Sequence, residues 1–290
     1  QLHRLIASFA KNSLDPSQLQ AAEAAVAGAV YELAIELNKA GLPKQMAPLL
    51  AHLRFHADGY FQQELALAAG LCSELASYLH MIAGYQGAES YARQALTLAE
   101  KVWGSNHSHT ALRFNNLALY LKASNRLAEA EPLYRRALSI DEAALGPEHP
   151  DVARDLNNLA VLLKASNRQV EAEPLYRRAL SIDEAALGPD HPNVAIRLNN
   201  LANLLRDTNR QEEAEPLYRR ALSINEATLG PDHPKVAIRL NNLAILLHGK
   251  GEKQEALACM RRAYGIFMAS LGADHPRTIV SAKWLAGWEL

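Results

Sequence analysis

A recurring dipeptide constrains this chain more than any other feature. His149-Pro150, His191-Pro192, His233-Pro234 and His275-Pro276 stand 42 residues apart, and one further step back meets His107-Ser108, a degenerate copy. Residues 151–192 recur as residues 193–234 with 32 identities. Self-similarity at such a period means a stack of equal units, each too small to bury its own core, so that every unit is stable only beside its neighbours.

Each unit reads as two helices. In the first, Val152, Leu156, Leu159, Ala160 and Leu163 recur at helical spacing and form one apolar stripe. Pro150 suits the first helical position, where its missing N–H is not needed. Ala165-Ser166-Asn167 breaks the pattern and makes the turn. The second helix carries Ala172, Leu175, Tyr176, Ala179, Leu180 and Ile182, with Pro174 expected in its first turn. Gly188-Pro189 ends it. The alanines at 160, 172 and 179 keep the helix axes close.

Small residues on both helices and an aromatic at Tyr176 resemble the tetratricopeptide repeat. The block LNNLA…EAEPLYRRALSI…LGPDHP resembles the variant of kinesin light chains and their bacterial relatives, over about residues 61–290. The resemblance implies an all-α, right-handed superhelical solenoid of helix-turn-helix units. Its first helices would line a concave groove that clamps an extended peptide or partner segment. Five repeats start at Leu65, His107, His149, His191 and His233, and a capping helix follows at residues 277–290, with Trp284 and Trp288 as its anchors.

Residues 1–60 fall outside the repeat and read as a helical adaptor: an amphipathic helix at 2–14, a helix at 17–40 capped by Asp15, and a third ending near Asp58-Gly59. The segment HRLIASFAKNSL resembles the end of the winged-helix region in signal-transduction NTPases that carry repeat sensors. That resemblance implies an alternative role as the ligand-sensing, autoinhibitory module of a larger NTPase. A third role, a self-associating structural spacer, suits near-identical repeats. The chain opens on Gln1, as a fragment of a longer chain does, so the lack of a targeting segment says little.

Catalytic and metal motifs do not occur. There is no GxxxxGK[ST], HExxH or CxxC, and Gly249-Lys250-Gly251 is a turn. The periodic histidines sit one repeat apart, roughly 10 Å by helix-packing distances. Ligands of one zinc must lie about 2 Å from it, so these cannot share a metal and instead tether the inter-repeat turns. The expectation is a non-catalytic chain with no cofactor. Cys72 and Cys259 take apolar positions of the repeat and are expected as buried free thiols, which fits a reducing cytoplasm. A formal net charge of −1 gives no bulk attraction for nucleic acid or an anionic membrane, and no run reaches transmembrane length.

The candidate site is a doubled asparagine: Asn115-Asn116, Asn157-Asn158, Asn199-Asn200 and Asn241-Asn242, midway along four first helices. Asparagine is a poor helix former because its side chain competes for backbone groups, and local rules tend to fail at functional places. The pairs lie off the leucine stripe, beside Arg154 and Lys164. The likeness to kinesin light chains implies that they hydrogen-bond the backbone of a bound peptide, a task that suits an amide with two donors and an acceptor. The alternative is that they bond one another across adjacent repeats. Lys122, Lys164, Arg206 and His248 recur seven residues after the first asparagine, Arg113, Arg197 and Arg239 recur two before it, and Asp155 interrupts the second row. Asn203, on the same helix as Arg206, joins Arg154, Lys122, Lys164 and Arg206 in the candidate peptide-binding set. Basic rows beside amides favour an acidic peptide, or else they pair with neighbouring acids. Arg135-Arg136, Arg177-Arg178 and Arg219-Arg220 read as structural, each first arginine four residues after a glutamate.

Overall fold

The computed structural model describes residues 15–40, 43–59 and 65–288. The chain forms two compact units, Gln1–Ala144 and Leu145–Leu290, and the described residues hold helices and no strands. The first unit contains α1 (Pro16–Ala40), α2 (Pro43–Met46), a 3-10 turn at Ala47–Leu49, and α3 (Leu50–Gly59). Two helical hairpins follow, α4 (Leu65–Met81) with α5 (Tyr85–Trp103) and α6 (Ser108–Ala123) with α7 (Leu127–Leu145). The second unit holds three hairpins: α8 (Pro150–Ala165) with α9 (Gln169–Leu187), α10 (Pro192–Asp207) with α11 (Gln211–Leu229), and α12 (Pro234–Lys250) with α13 (Lys253–Leu271). A single helix, α14 (Pro276–Trp288), comes last. The helix expected at 2–14 lies outside the described residues.

Capping explains where the helices begin. Asp15 Oδ1 accepts from the amides of Ser17 at 2.9 Å and Gln18 at 3.0 Å, which starts α1 one residue earlier than the sequence suggested. The periodic histidines are also caps. Nδ1 of His107, His149, His191 and His233 accepts the amide two residues on at 3.1 Å, and His275 does the same at 3.2 Å. The imidazole thus satisfies one of the orphan donors of the first turn, and it can do so only while Nδ1 is unprotonated.

This coupling carries a sign. Burial, then the Lys235 charge, holds the His233 pKa below its ordinary value. A depressed folded pKa contributes stability that is present above the unfolded pKa of about 6.5 and is lost as pH falls through the folded value. Thermal melts between pH 7.5 and 5 are expected to fall less in His233→Asn, which keeps a capping oxygen and does not titrate, than in the parent. Parallel slopes would contradict the role given to this histidine.

The turns follow from two residues that tolerate a left-handed backbone. Asn125, Asn167 and Asn209 have φ of 60°, 58° and 59°, and Gly188 after α9 has φ of 89°. Because α9 starts at Gln169, Pro174 lies in its second turn, not its first. The carbonyl that loses its donor there belongs to Val170, whose residue is almost fully exposed, so water can take the place of the missing N–H.

The core of the second unit is continuous from hairpin to hairpin. Val194, Ala195 and Leu198 of α10 pack with Ala221 and Ile224 of α11, and Leu180 of the preceding hairpin joins them. One repeat later Val236, Ala237 and Leu240 pack with Ala263, Ile266 and Phe267, joined by Leu222. Tyr134, Tyr176 and Tyr218 are fully buried. Cys72 is a buried thiol in no disulfide, whereas Cys259 is half-buried, as Leu175 is at the equivalent position. In α14, Trp288 stacks on His248 with ring centroids 4.2 Å apart, while Trp284 is 40% exposed and leans on Trp288 at 5.4 Å.

Candidate functional site

The two asparagines of each pair differ in their surroundings. In the second unit Asn157 and Asn199 are 5% and 4% exposed, whereas Asn158, Asn200, Asn241 and Asn242 are half-buried. Asn200 Nδ2 donates to Asn157 Oδ1 at 2.9 Å, and Asn242 Nδ2 donates to Asn199 Oδ1 at 2.8 Å. Each bond spans 43 residues, so the first asparagine of one repeat is the acceptor for the second asparagine of the next. The register also explains the end of the ladder: 43 residues after Asn241 comes Trp284, which has no such donor. Asn241 and Asn242 then line a cavity of about 300 Å³ with Phe267, Arg277, Val280 and Ser281.

The first unit shows the same rung with another acceptor. Asn116 Nδ2 donates to Ser73 Oγ at 3.2 Å, Ser73 standing where a first asparagine would stand. Arg113 Nη1 donates to the same hydroxyl at 3.1 Å, and Asn115 is buried. Lys122, on the same helix, has no acid within ion-pair distance among the described residues, and burial lowers its pKa.

Part of the basic rows is neutralised from within. Asp207 receives both Lys164 Nζ at 2.7 Å and Arg206 Nη2 at 2.9 Å. Arg154 bonds Asp151 and Asp155. Asn203 Oδ1 accepts from the Tyr218 hydroxyl at 2.7 Å and so orients that ring. Arg113, Arg197 and Arg239 do not flank an open surface as the sequence suggested. Each is at least nine-tenths buried, because the helix wheel places the row under the preceding repeat. Arg197 Nε reaches Asp183 Oδ2 of α9 at 2.8 Å, a buried pair 14 residues apart in sequence.

The second-helix arginines are structural. Arg135, Arg177 and Arg219 pair with glutamates four residues earlier, at 2.7, 2.7 and 2.8 Å. Arg178, Arg220 and Arg262 donate to the carbonyls of Pro147, Pro189 and Pro231 at 3.1, 2.9 and 3.1 Å. These last bonds, which fix each outgoing loop to the next repeat, carry no local sequence signal beyond their recurrence at 42 residues.

Half-buried amides recur on the first helices of the hairpins. No group of three or more potential metal ligands occurs among the described residues. The tetratricopeptide repeat profile matches residues 65–143, 114–185, 170–227 and 212–269, in overlapping register. The chain belongs to the tetratricopeptide repeat family. No curated protein matches it. Among solved structures, this tetratricopeptide array is similar to BtubC (BKLC) from P. vanneervenii at 25% identity and a TM-score of 0.66, over 78% of this chain and 92% of that one. It is also similar to the nearly identical TPR-like repeats of a kinesin light chain of Podosopora anserina, at 24% identity and a TM-score of 0.56, over 69% and 95% of the two chains. NprR, crystallised with its cognate peptide NprX, shares the fold at 13% identity and a TM-score of 0.69, over 100% of this chain and 79% of that one. No described helix is long and apolar enough to cross a membrane.

Proposed function

We propose that this tetratricopeptide array is a non-catalytic module that binds an extended protein or peptide segment along its first helices. Within the second unit, Asn200 and Asn242 are the contact residues. The observation that carries this reading is their divided use. Each amide donates one N–H to the ladder, and its Oδ1 has no acceptor role among the described residues while the side chain stays half-exposed. A carbonyl and a second N–H on each residue match the two groups of a peptide unit whatever its side chain. The ladder holds these groups in place before a ligand arrives, which lowers the ordering cost of binding. Asn116, which donates to Ser73, presents the same arrangement in the first unit.

The internal pairing of Lys164, Arg206 and Arg154 reduces the pull on acidic ligands, so backbone recognition leads and charge is secondary. Peptides selected from a displayed random library should therefore lose about tenfold or more in affinity for the double variant Asn200→Ala with Asn242→Ala, the loss of two hydrogen bonds. Undiminished affinity would remove these residues from the site.

A further inference from the structure

Two buried nitrogen donors in the second unit lack a protein acceptor. Arg239 on α12 is 7% exposed, and its Nε–H meets no acceptor among the described residues. Asn225 on α11 is 1% exposed, and its Nδ2 is likewise without a partner. The 42-residue period places both at one spot. Asp183 and Arg197 hold the equivalent positions one repeat earlier, where they meet at 2.8 Å, and Asn225 precedes Arg239 by the same 14 residues. An amide therefore stands where the acid that neutralises Arg197 stands, and no ion pair reaches Arg239 among the described residues. Burial pushes the Arg239 guanidinium down to about 10, with Tyr218 the sole offsetting group. A buried cation without a counter-charge is costly, and a repeat that keeps the arginine while dropping its acid breaks the local rule.

We infer that Arg239 and Asn225 form a carboxylate-accepting notch between α11 and α12, completed by an acidic group from outside the fold. The guanidinium offers a planar fork of N–H donors matched to two carboxylate oxygens, and the Asn225 amide adds a third donor. An aspartate at 225 would occupy the fork and repel an incoming carboxylate. Asparagine keeps almost the same volume and leaves the fork available. The inference does not depend on the asparagine contacts proposed above, and its test uses neither Asn200 nor Asn242.

The test titrates the intact protein with sodium acetate in place of sodium chloride at constant ionic strength. It follows the Arg239 Nε–H resonance by NMR together with the melting temperature. A second arm uses N-acetyl-aspartate N-methylamide, which carries the carboxylate on a peptide unit. The expected result is a saturable shift of Arg239 Nε–H with a rise in melting temperature, weakened about tenfold or more in Asn225→Asp by the like charge. Asn225→Asp should itself melt no lower than the parent. Response to both probes identifies a peptide side chain as the natural occupant, and response to acetate alone identifies a small free carboxylate. No response to either, or an equal response in Asn225→Asp and in Arg239→Met, overturns the site and leaves the Asn225 amide oxygen, turned toward Arg239, as its acceptor.

Discussion

Replacing Arg197 with leucine is expected to lower stability by about 3–5 kcal/mol at pH 7, the cost of leaving a buried charge without its partner. The charge is Asp183, which is fully buried, and Arg197 is its ion-pair partner at 2.8 Å. Burial already holds the Asp183 carboxyl above its ordinary value against the pull of Arg197. A carboxyl with a raised folded pKa contributes stability that is fully present below its unfolded value of about 3.9 and is lost as pH rises through the folded value. Without Arg197 that folded value climbs further, so the loss extends toward neutrality. Urea denaturation at pH 4.5 and 7 should show the smaller deficit for Arg197→Leu at pH 4.5, where the lone carboxyl can take up a proton. Equal deficits at both values would mean that Asp183 is not the group stranded by the substitution.

Tyr176→Ala is the second large effect, about 3–5 kcal/mol for a deleted aromatic ring whose cavity the helices cannot close. Tyr176, on α9, is 1% exposed. The hydroxyl separates this tyrosine from its successor. Tyr218 donates to Asn203 at 2.7 Å, while the position equivalent to Asn203 in the preceding repeat is Val161. Tyr176→Phe should therefore be close to neutral, and Tyr218→Phe should cost about 1 kcal/mol for a lost hydrogen bond. Thermal melts of the three variants check this. A Tyr176→Phe loss as large as that of Tyr218→Phe would show that Asn203 does not distinguish the two.

The period, the helix pairs and their turns were legible because they follow from local rules that repeat. Pro150 and Gly188 punctuate, Asn167 accepts a left-handed backbone, and the leucine stripe of α8 points to its partner. Bonding of Asn157 to the next repeat was legible as one of two alternatives, whereas which asparagine of the pair turns inward, and the burial of Arg197, were not, for one physical reason. A helical wheel gives each residue an angle relative to its own partner helix, but whether a flank meets solvent or the next repeat depends on how units stack. Stacking sends Asn157 and Asn199, the first of their pairs, inward as acceptors and leaves Asn200 and Asn242, the second of theirs, half-exposed as donors. It also buries Arg197 against Asp183, an acid on another helix that no window of neighbouring residues connects to it. Histidine capping was missed because imidazole seldom caps, yet its regular place just before a proline was the available clue.

In the proposed binding mode the outer asparagine of each rung, and not the rung itself, meets the ligand. Affinity of library-selected peptides for Asn200→Ala with Asn242→Ala, set beside affinity for Asn157→Ala with Asn199→Ala, tests it most directly. Both double variants break the same two hydrogen bonds of the ladder, but only the first removes the half-exposed amides. The account predicts a loss of about tenfold or more in the outer variant and at most a small loss in the inner one. Equal losses in both would contradict it, and would make the asparagine ladder a stiffening element of the stack instead of a binding surface.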